Sequence, residues 1–307
     1  MANEVTLASL TAAGGGVAEV LSALLVPQLY DPTDLRSLVT FVPWNAGGSA
    51  AMTVTLDAVP GAYAAASSET VGGASNSAYT TDEFVLTIAR YLRKYQVTDL
   101  FKTSGSPVTW PKVAQALSEG VGLTMTDLIA ATFTSVSNAG GDAGAVGTLL
   151  TIDNIYAAAA ILSAQGVVFG DAQHLAFVGA PKQLAEVEQS LRGETLAYPS
   201  TDSALSMRGP GFKFSWRNID FYQSDSVPIA GGVAYNGCLF GQNAFAYTMG
   251  PVSSDLIPAG NALVTTPEFL LEMDRDADQA MTGLIGNIYP AVSAVLANAA
   301  VKVISII

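Results

Sequence analysis

The chain contains one histidine, His174, and one cysteine, Cys238. These two residue types supply most general bases, thiolate nucleophiles and zinc ligands, so their scarcity bounds the available chemistry at once. A Ser-His-Asp arrangement is arithmetically open, but no G-x-S-x-G elbow is there to present a nucleophile. His174 stands just before the apolar stretch "LAFVG" and reads as a structural histidine. One histidine and one cysteine supply a zinc site poorly. Cys238 lies among Leu239, Phe240 and small residues and reads as a plain buried thiol. A lone cysteine forms no intramolecular disulfide and suits a reducing compartment.

Three charged or glycine-rich segments invite a chemical reading. "GGDAGAVG" (140–147) resembles a phosphate loop at first sight, but it lacks the Gly-Lys-Ser/Thr ending and follows a helix instead of a strand. It is expected to be a flexible linker. "DRDADQ" (274–279) places Asp274, Asp276 and Asp278 at calcium-loop spacing. The sharp-turn position holds Gln279 in place of glycine, and the bidentate glutamate position holds Ile285, so an EF-hand is rejected. Alternating acids on an exposed strand face are the plainer reading, with casual divalent binding left open. "RYLRKY" (90–95) is the one basic cluster. Arg90, Arg93 and Lys94 suit a solvated strand end, or partners for acidic groups on a neighbouring chain, more than phosphate. No catalytic, cofactor-binding or metal-ligating residue is therefore expected, and the chain is not expected to be an enzyme.

What remains is a question of surface. The chain has 307 residues, enough for one large or two modest domains with a hydrophobic core. Half are hydrophobic and only 13% are charged, about half the fraction usual for globular domains. So few charges imply that other chains cover much of the surface, or that it is rich in small polar residues; obligate interfaces resemble a domain core cut in half. A membrane is the rival explanation. The best candidate, "IYAAAAILSAQGVVF" (155–169), is too short and is interrupted by Gln165 and Gly166. The first basic residue is Arg36, so no secretory signal is expected. The net charge of −13 disfavours sequence-independent binding to nucleic acid.

The elements that must form this surface read as follows. Residues 1–50 look like an extended arm with one short helix in "VAEVLSALLVPQLY" (17–30). "MTVTLDA" (52–58) alternates as a half-buried strand, and "EFVLTIARYLRKYQV" (83–97) continues the pattern. Between them lies a long run of Ala, Ser, Gly and Thr. A gap of that length is functional, disordered, or the body of a long projecting hairpin that lies flat on another subunit. "TWPKVAQALSEGVGLTMTDLIAATFTSV" (109–136) predicts the longest helix, with a stripe of Val113, Leu117, Val121, Met125, Leu128 and Thr132. Gly120 and Gly122 weaken its middle. A second helix spans about 152–165, with Gly166 at C′, and a third runs from Pro181 to Gly193. "GFKFSWRNIDFYQSD" (211–225), "TPEFLLEMDRD" (266–276) and "AAVKVISII" (299–307) read as strands. The fold class is α+β.

In this order the parts resemble the major capsid proteins of tailed double-stranded DNA bacteriophages. Locally, "GCLFGQNAFAYTMG" (237–250) is similar to that family's Gly-x-x-Ala-aromatic segment, and "LIGNIYPAVSAVLANAAVKVIS" (284–305) to its closing strands. The resemblance implies an N-terminal arm (1–50), an extended hairpin loop (51–97), and a peripheral domain (98–150 and 251–307) with a spine helix at about 109–137. It also implies an axial domain (151–250). Phe240, Phe245 and Tyr247 would be framework, with Gly237 and Gly241 permitting a turn. The implied function is self-assembly into hexamers and pentamers, hundreds of copies in all, of an icosahedral capsid shell. That shell would enclose double-stranded DNA without specific binding, with portal and separate scaffolding proteins as partners, no membrane, and assembly in the bacterial host cytoplasm. No hairpin lysine exists between 51 and 89, so the family's lysine-asparagine crosslink is not carried over. Alternatives are an encapsulin-like nanocompartment shell, and a soluble enzyme or binding module of another type.

Overall fold

The computed structural model describes residues 35–45, 49–57, 81–98, 109–167, 174–193, 211–241, 243–251, 262–265, 269–276 and 281–307. The arm helix expected at 17–30, the middle of the hairpin (58–80) and Asp278 lie outside them.

In chain order the elements are β1 (Thr40–Phe41), β2 (Ala51–Asp57), β3 (Thr81–Thr87), β4 (Tyr91–Thr98), α1 (Thr109–Thr132), β5 (Ala143–Gly144), α2 (Ile152–Ala164) and β6 (Leu175–Gly179). There follow α3 (Pro181–Gly193), β7 (Phe212–Trp216), β8 (Ile219–Gln223), β9 (Ile229–Ala230), β10 (Ala234–Phe240) and β11 (Phe245–Met249). The chain closes with β12 (Ala262–Thr265), β13 (Leu270–Asp276), β14 (Met281–Ile288), β15 (Pro290–Ala294) and β16 (Ala300–Ile306).

The strands form four sheets. The largest runs β5-β16-β10-β6-β8-β7, with β9 paired to β10; a four-stranded sheet runs β12-β13-β14-β4; a three-stranded sheet runs β1-β11-β15; and β2 pairs with β3. β10 is central to the first sheet, antiparallel both to β16 and to β6. Its alternate residues serve two cores. Leu239, Phe177, Val301 and Val303 pack with Leu162 of α2 and Val187 of α3 on one face. Cys238, Phe240, Val178 and Ala300 pack with Ile129 and Phe133 on the other. A strand covered on both faces has no use for a polar alternate row, which is why residues 235–250 carry no charge.

Local chemistry places the helices. Thr151 and Asn154 close a capping box at the start of α2. Beyond its end, Gly166 takes φ +84°, while Gly166 N–H donates to the Ser163 carbonyl and Val167 N–H to the Leu162 carbonyl, a Schellman closure. At the start of α3, Pro181 occupies the first turn and Gln183 Oε1 accepts from Ala180 N–H at 3.1 Å. α1, with 24 residues and about 36 Å of length, links two cores. Leu117, Val121 and Met125 face the four-stranded sheet, and Ile129 and Phe133 face the seven-stranded one.

Two expectations are corrected and one is extended. The buried seam of α1 keeps steps of four, through Ile129 to Phe133, and does not pass to Leu128 and Thr132, which are only half-buried. Steps of four rotate the seam slowly around the helix, as a helix wrapping from one sheet to the next requires. Gly120 does more than weaken α1: a Cβ there would lie 3.0 Å from Arg93 Nη1, so glycine admits the β4 side chain against the helix. The segment 140–147 is not a loose linker. β5 pairs in parallel with β16, Ala143 is buried, and a Cβ on Gly144 (φ +77°) would collide with the Ile304 carbonyl.

Candidate assembly surfaces

The chemistry-bearing residues are structural in their surroundings. His174 Nδ1 meets Asp220 Oδ1 at 3.0 Å, tying the entry of β6 to β8. Cys238 is fully buried in β10, and burial pushes its thiol pKa well above the ordinary value. In the basic cluster, Lys94 Nζ pairs with Asp274 Oδ2 at 2.7 Å, Arg93 lies over the Tyr95 ring, and Arg90 donates to Asn287 Oδ1. The acidic partner of Lys94 is thus in its own chain. That pair also occupies one carboxylate of the segment that resembles a calcium loop. Among the described residues, no group of three or more His, Cys, Asp or Glu is placed to hold a metal ion, and no helix is long and apolar enough to cross a membrane.

The glycines of the uncharged phrase divide by role. Phe240, Phe245 and the half-buried Tyr247 belong to the framework. Gly241 sits in the turn between β10 and β11, where Ala244 N–H donates to its carbonyl at 3.0 Å. Gly237 is not a turn residue. It lies inside β10, where a Cβ would meet Gln183 Oε1 at 2.8 Å and the Val178 carbonyl at 3.0 Å. Sequence reading also missed the hairpin within 211–225. Arg217 and Asn218, with φ of +46° and +64°, form a two-residue turn between β7 and β8. An asparagine between two aromatic runs was the available signal.

Two surfaces stand out. The first is the end of the seven-stranded sheet away from the β10–β11 turn. The β9–β10 turn carries Ile229 and Val233, both at least half exposed, and Ile307 N–H donates to the Val233 carbonyl. Beside it, Ile306 N–H donates to the Thr148 carbonyl, and the same loop exposes Val146 (59%) and Leu149 (64%). Five large apolar side chains from three separate segments thus gather at one end of one sheet. Isolated exposed hydrophobics need no explanation, but a gathering from separate segments is a candidate interaction surface.

The second is the hairpin. β2 and β3 pair from Ala51↔Thr87 to Asp57↔Thr81, and neither pairs with any other described strand. Met52, Phe84 and Leu86 on one side pack against Ala246 and Ala291, while Val85 on the other side is half exposed. The described part of the hairpin is therefore seated on the body by apolar packing.

No protein-family model matches the chain, and no curated protein matches it in sequence. Solved structures do match. The capsid of Ralstonia phage GP4 superposes with a TM-score of 0.63 at 8% identity, covering 88% of each chain. The capsid of a native GTA particle gives 0.61 at 11% identity, covering 90% of each. The SrpI encapsulin complex from Synechococcus elongatus PCC 7942 gives 0.60 at 12% identity, covering 87% of this chain and 84% of that one. Identities this low carry the fold alone. With its four sheets, its long helix and its coverage of nearly the whole length of these proteins, the chain has the α+β shell fold of the tailed-phage major capsid proteins, which the encapsulin also shares.

Proposed function

We propose that this chain is a major capsid protein, a structural subunit that self-assembles into the icosahedral shell enclosing a phage genome. The observation that carries the reading is the apolar end of the seven-stranded sheet (Val146, Leu149, Ile229, Val233 and Ile307) on a chain with only 13% charged residues. Such a surface is stable in water when copies of the chain cover it. A closed shell repeats the same heterologous contacts around its symmetry axes. Each contact is modest, but one subunit makes several at once and they act together.

In this reading residues 1–50 are the arm, 51–97 the extended hairpin, 98–150 and 251–307 the peripheral domain, and 151–250 the axial domain. The apolar end, which joins peripheral residues Val146, Leu149 and Ile307 to axial residues Ile229 and Val233, then faces a neighbouring subunit, and the hairpin lies on another. The net charge of −13 suits a wall that encloses double-stranded DNA without gripping it. Portal and scaffolding proteins complete the particle, which assembles in the host cytoplasm.

A second reading, an encapsulin-like nanocompartment, is favoured by the likeness to the SrpI encapsulin, whose TM-score is close to those of the phage shells. The test is negative-stain electron microscopy of the chain expressed alone, beside size-exclusion chromatography. Closed shells or rings support a shell subunit. Particle diameter, and the contents of shells formed with the neighbouring genes co-expressed, then separate the two, nucleic acid marking the capsid and a cargo protein the nanocompartment. A monomer that stays monomeric with its co-expressed neighbouring genes would overturn both.

A further inference from the structure

Three residues, Ile88 to Arg90, join the hairpin to β4. Ile88 N–H donates to the Ala50 carbonyl at 3.0 Å, and Ala89 N–H to the Pro290 carbonyl at 3.2 Å. Arg90 adds a tie from its side chain. Its Nε and Nη2 both donate to Asn287 Oδ1, at 2.9 and 2.7 Å. Asn287 is completely buried in β14, and its Nδ2 donates in turn to Glu272 Oε1 of β13 at 2.7 Å. The root of the hairpin is thus coupled through one amide to two strands of the four-stranded sheet.

The chemistry of this line sets its direction. A guanidinium holds the amide oxygen from one side and a carboxylate holds the amide nitrogen from the other, so all three hydrogen bonds are charge-assisted. Rotating the amide by half a turn would set its NH2 against Arg90 and its oxygen against Glu272. The amide therefore has one orientation, and Arg90 has one place to land.

We propose that Arg90 and Asn287 form a latch that sets the angle of the β2–β3 hairpin against the four-stranded sheet, with Glu272 as the positioning residue that orients the amide. The packing of Met52, Phe84 and Leu86 on Ala246 and Ala291 gives the hairpin base a seat, but apolar contacts are non-directional and tolerate pivoting. Beyond the Ala89–Pro290 backbone bond, the latch supplies direction toward the four-stranded sheet. It is one side chain near the surface, so it can release and re-form without breaking a strand ladder, as hinge elements do. It acts within a single chain and holds whether or not the chain builds a shell.

The test is a distance measurement on the full chain. Spin labels go on Val85→Cys in β3 and Leu123→Cys in α1, both close to half exposed, while the buried Cys238 stays unlabelled in the native state. Pulsed electron resonance is expected to give a narrow distance distribution in this background. Arg90→Gln should widen it about twofold, as for a freed hinge, with little change in melting temperature. Asn287→Leu, which removes the acceptor from the other side, should widen it equally. Arg90 is exposed, so Arg90→Gln decides the matter even if Asn287→Leu fails to fold. An unchanged distribution in folded Arg90→Gln protein overturns the latch.

Discussion

The rings of Phe240 and Phe245 meet edge to face, with centroids 5.1 Å apart, across the turn where the seven-stranded sheet passes the chain to the three-stranded one. Phe133, in the 3-10 turn that follows α1, touches both, at 5.9 and 5.6 Å. Three aromatic rings thus lock the long helix to the junction of two sheets. Aromatic pairs of this geometry add to the stabilisation from burial alone.

Phe245→Ala should therefore be among the most damaging single substitutions, costing about 3–5 kcal/mol. Chemical denaturation of the subunit measures it. A loss below about 1 kcal/mol would mean that the junction relaxes around the cavity and is not a lock.

Gly237 and Gly241 should respond differently to the same change. Gly237→Ala forces a methyl group toward the Val178 carbonyl and Gln183, and should cost about 1–3 kcal/mol as overpacking. Gly241→Ala places its methyl 3.4 Å from Val167 Cγ1, close to ordinary contact, and should change stability by less than about 1 kcal/mol. Melting curves of the two variants side by side give the answer, and equal losses would refute the distinction.

Charges introduced at the apolar end separate folding from assembly. Leu149→Asp with Val233→Asp alters two exposed positions, so subunit stability should move by no more than about 0.5 kcal/mol per site. Shells seen by electron microscopy should nonetheless be replaced by small species on size-exclusion chromatography. Normal shells from the double variant would remove this surface from the assembly account.

Deleting about residues 60–80 leaves the paired stems of β2 and β3 and their seat on Ala246 and Ala291. The subunit should stay folded and in solution, and shell formation should stop. Circular dichroism and electron microscopy together check both halves of this expectation.

Cys238 gives a pH dependence of known sign. Its thiol is neutral in the fold and its pKa is raised by burial, whereas in the unfolded chain it titrates near 9.0. The folded state therefore holds a proton that the unfolded state gives up at high pH. Its contribution is fully present below pH 9 and declines above it, by up to about 1.4 kcal/mol per pH unit. Denaturation midpoints of the parent and of Cys238→Ala across this range isolate the effect, since the variant should lose that part of the slope. In native protein the thiol should also resist thiol reagents until unfolding exposes it.

Much of the fold was legible where its cause is local. The alternation in 52–57 and 83–88 reports a half-buried hairpin because a strand's faces differ every second residue. Pro181, Gly166 and Gly193 mark helix ends through backbone geometry that needs no distant partner. Where the cause was remote, the reading slipped. Gly237 reads as a turn residue in sequence because nothing nearby in the chain reveals that Gln183 and Val178 crowd it. Residues 140–147 looked loose because their partner, β16, lies some 160 positions away. The expected roles of Arg93 and Lys94 likewise lacked Gly120 and Asp274, which only folding brings near.

By itself, then, the sequence determined the class of the protein: mixed helix and sheet, scant charge, and a single histidine and a single cysteine. These follow from composition and short-range periodicity, which every residue carries wherever it ends up. Only the tertiary structure decided that β10 lies between β16 and β6, that three distant segments pool their apolar residues at one end of a sheet, and that Arg90 reaches Asn287. Strand order and surface patches depend on which far segments meet. Loop-closure entropy rises only slowly with the length of the intervening chain, so sequence separation discriminates weakly between possible partners. The choice falls to packing, which exists only once the whole chain has folded.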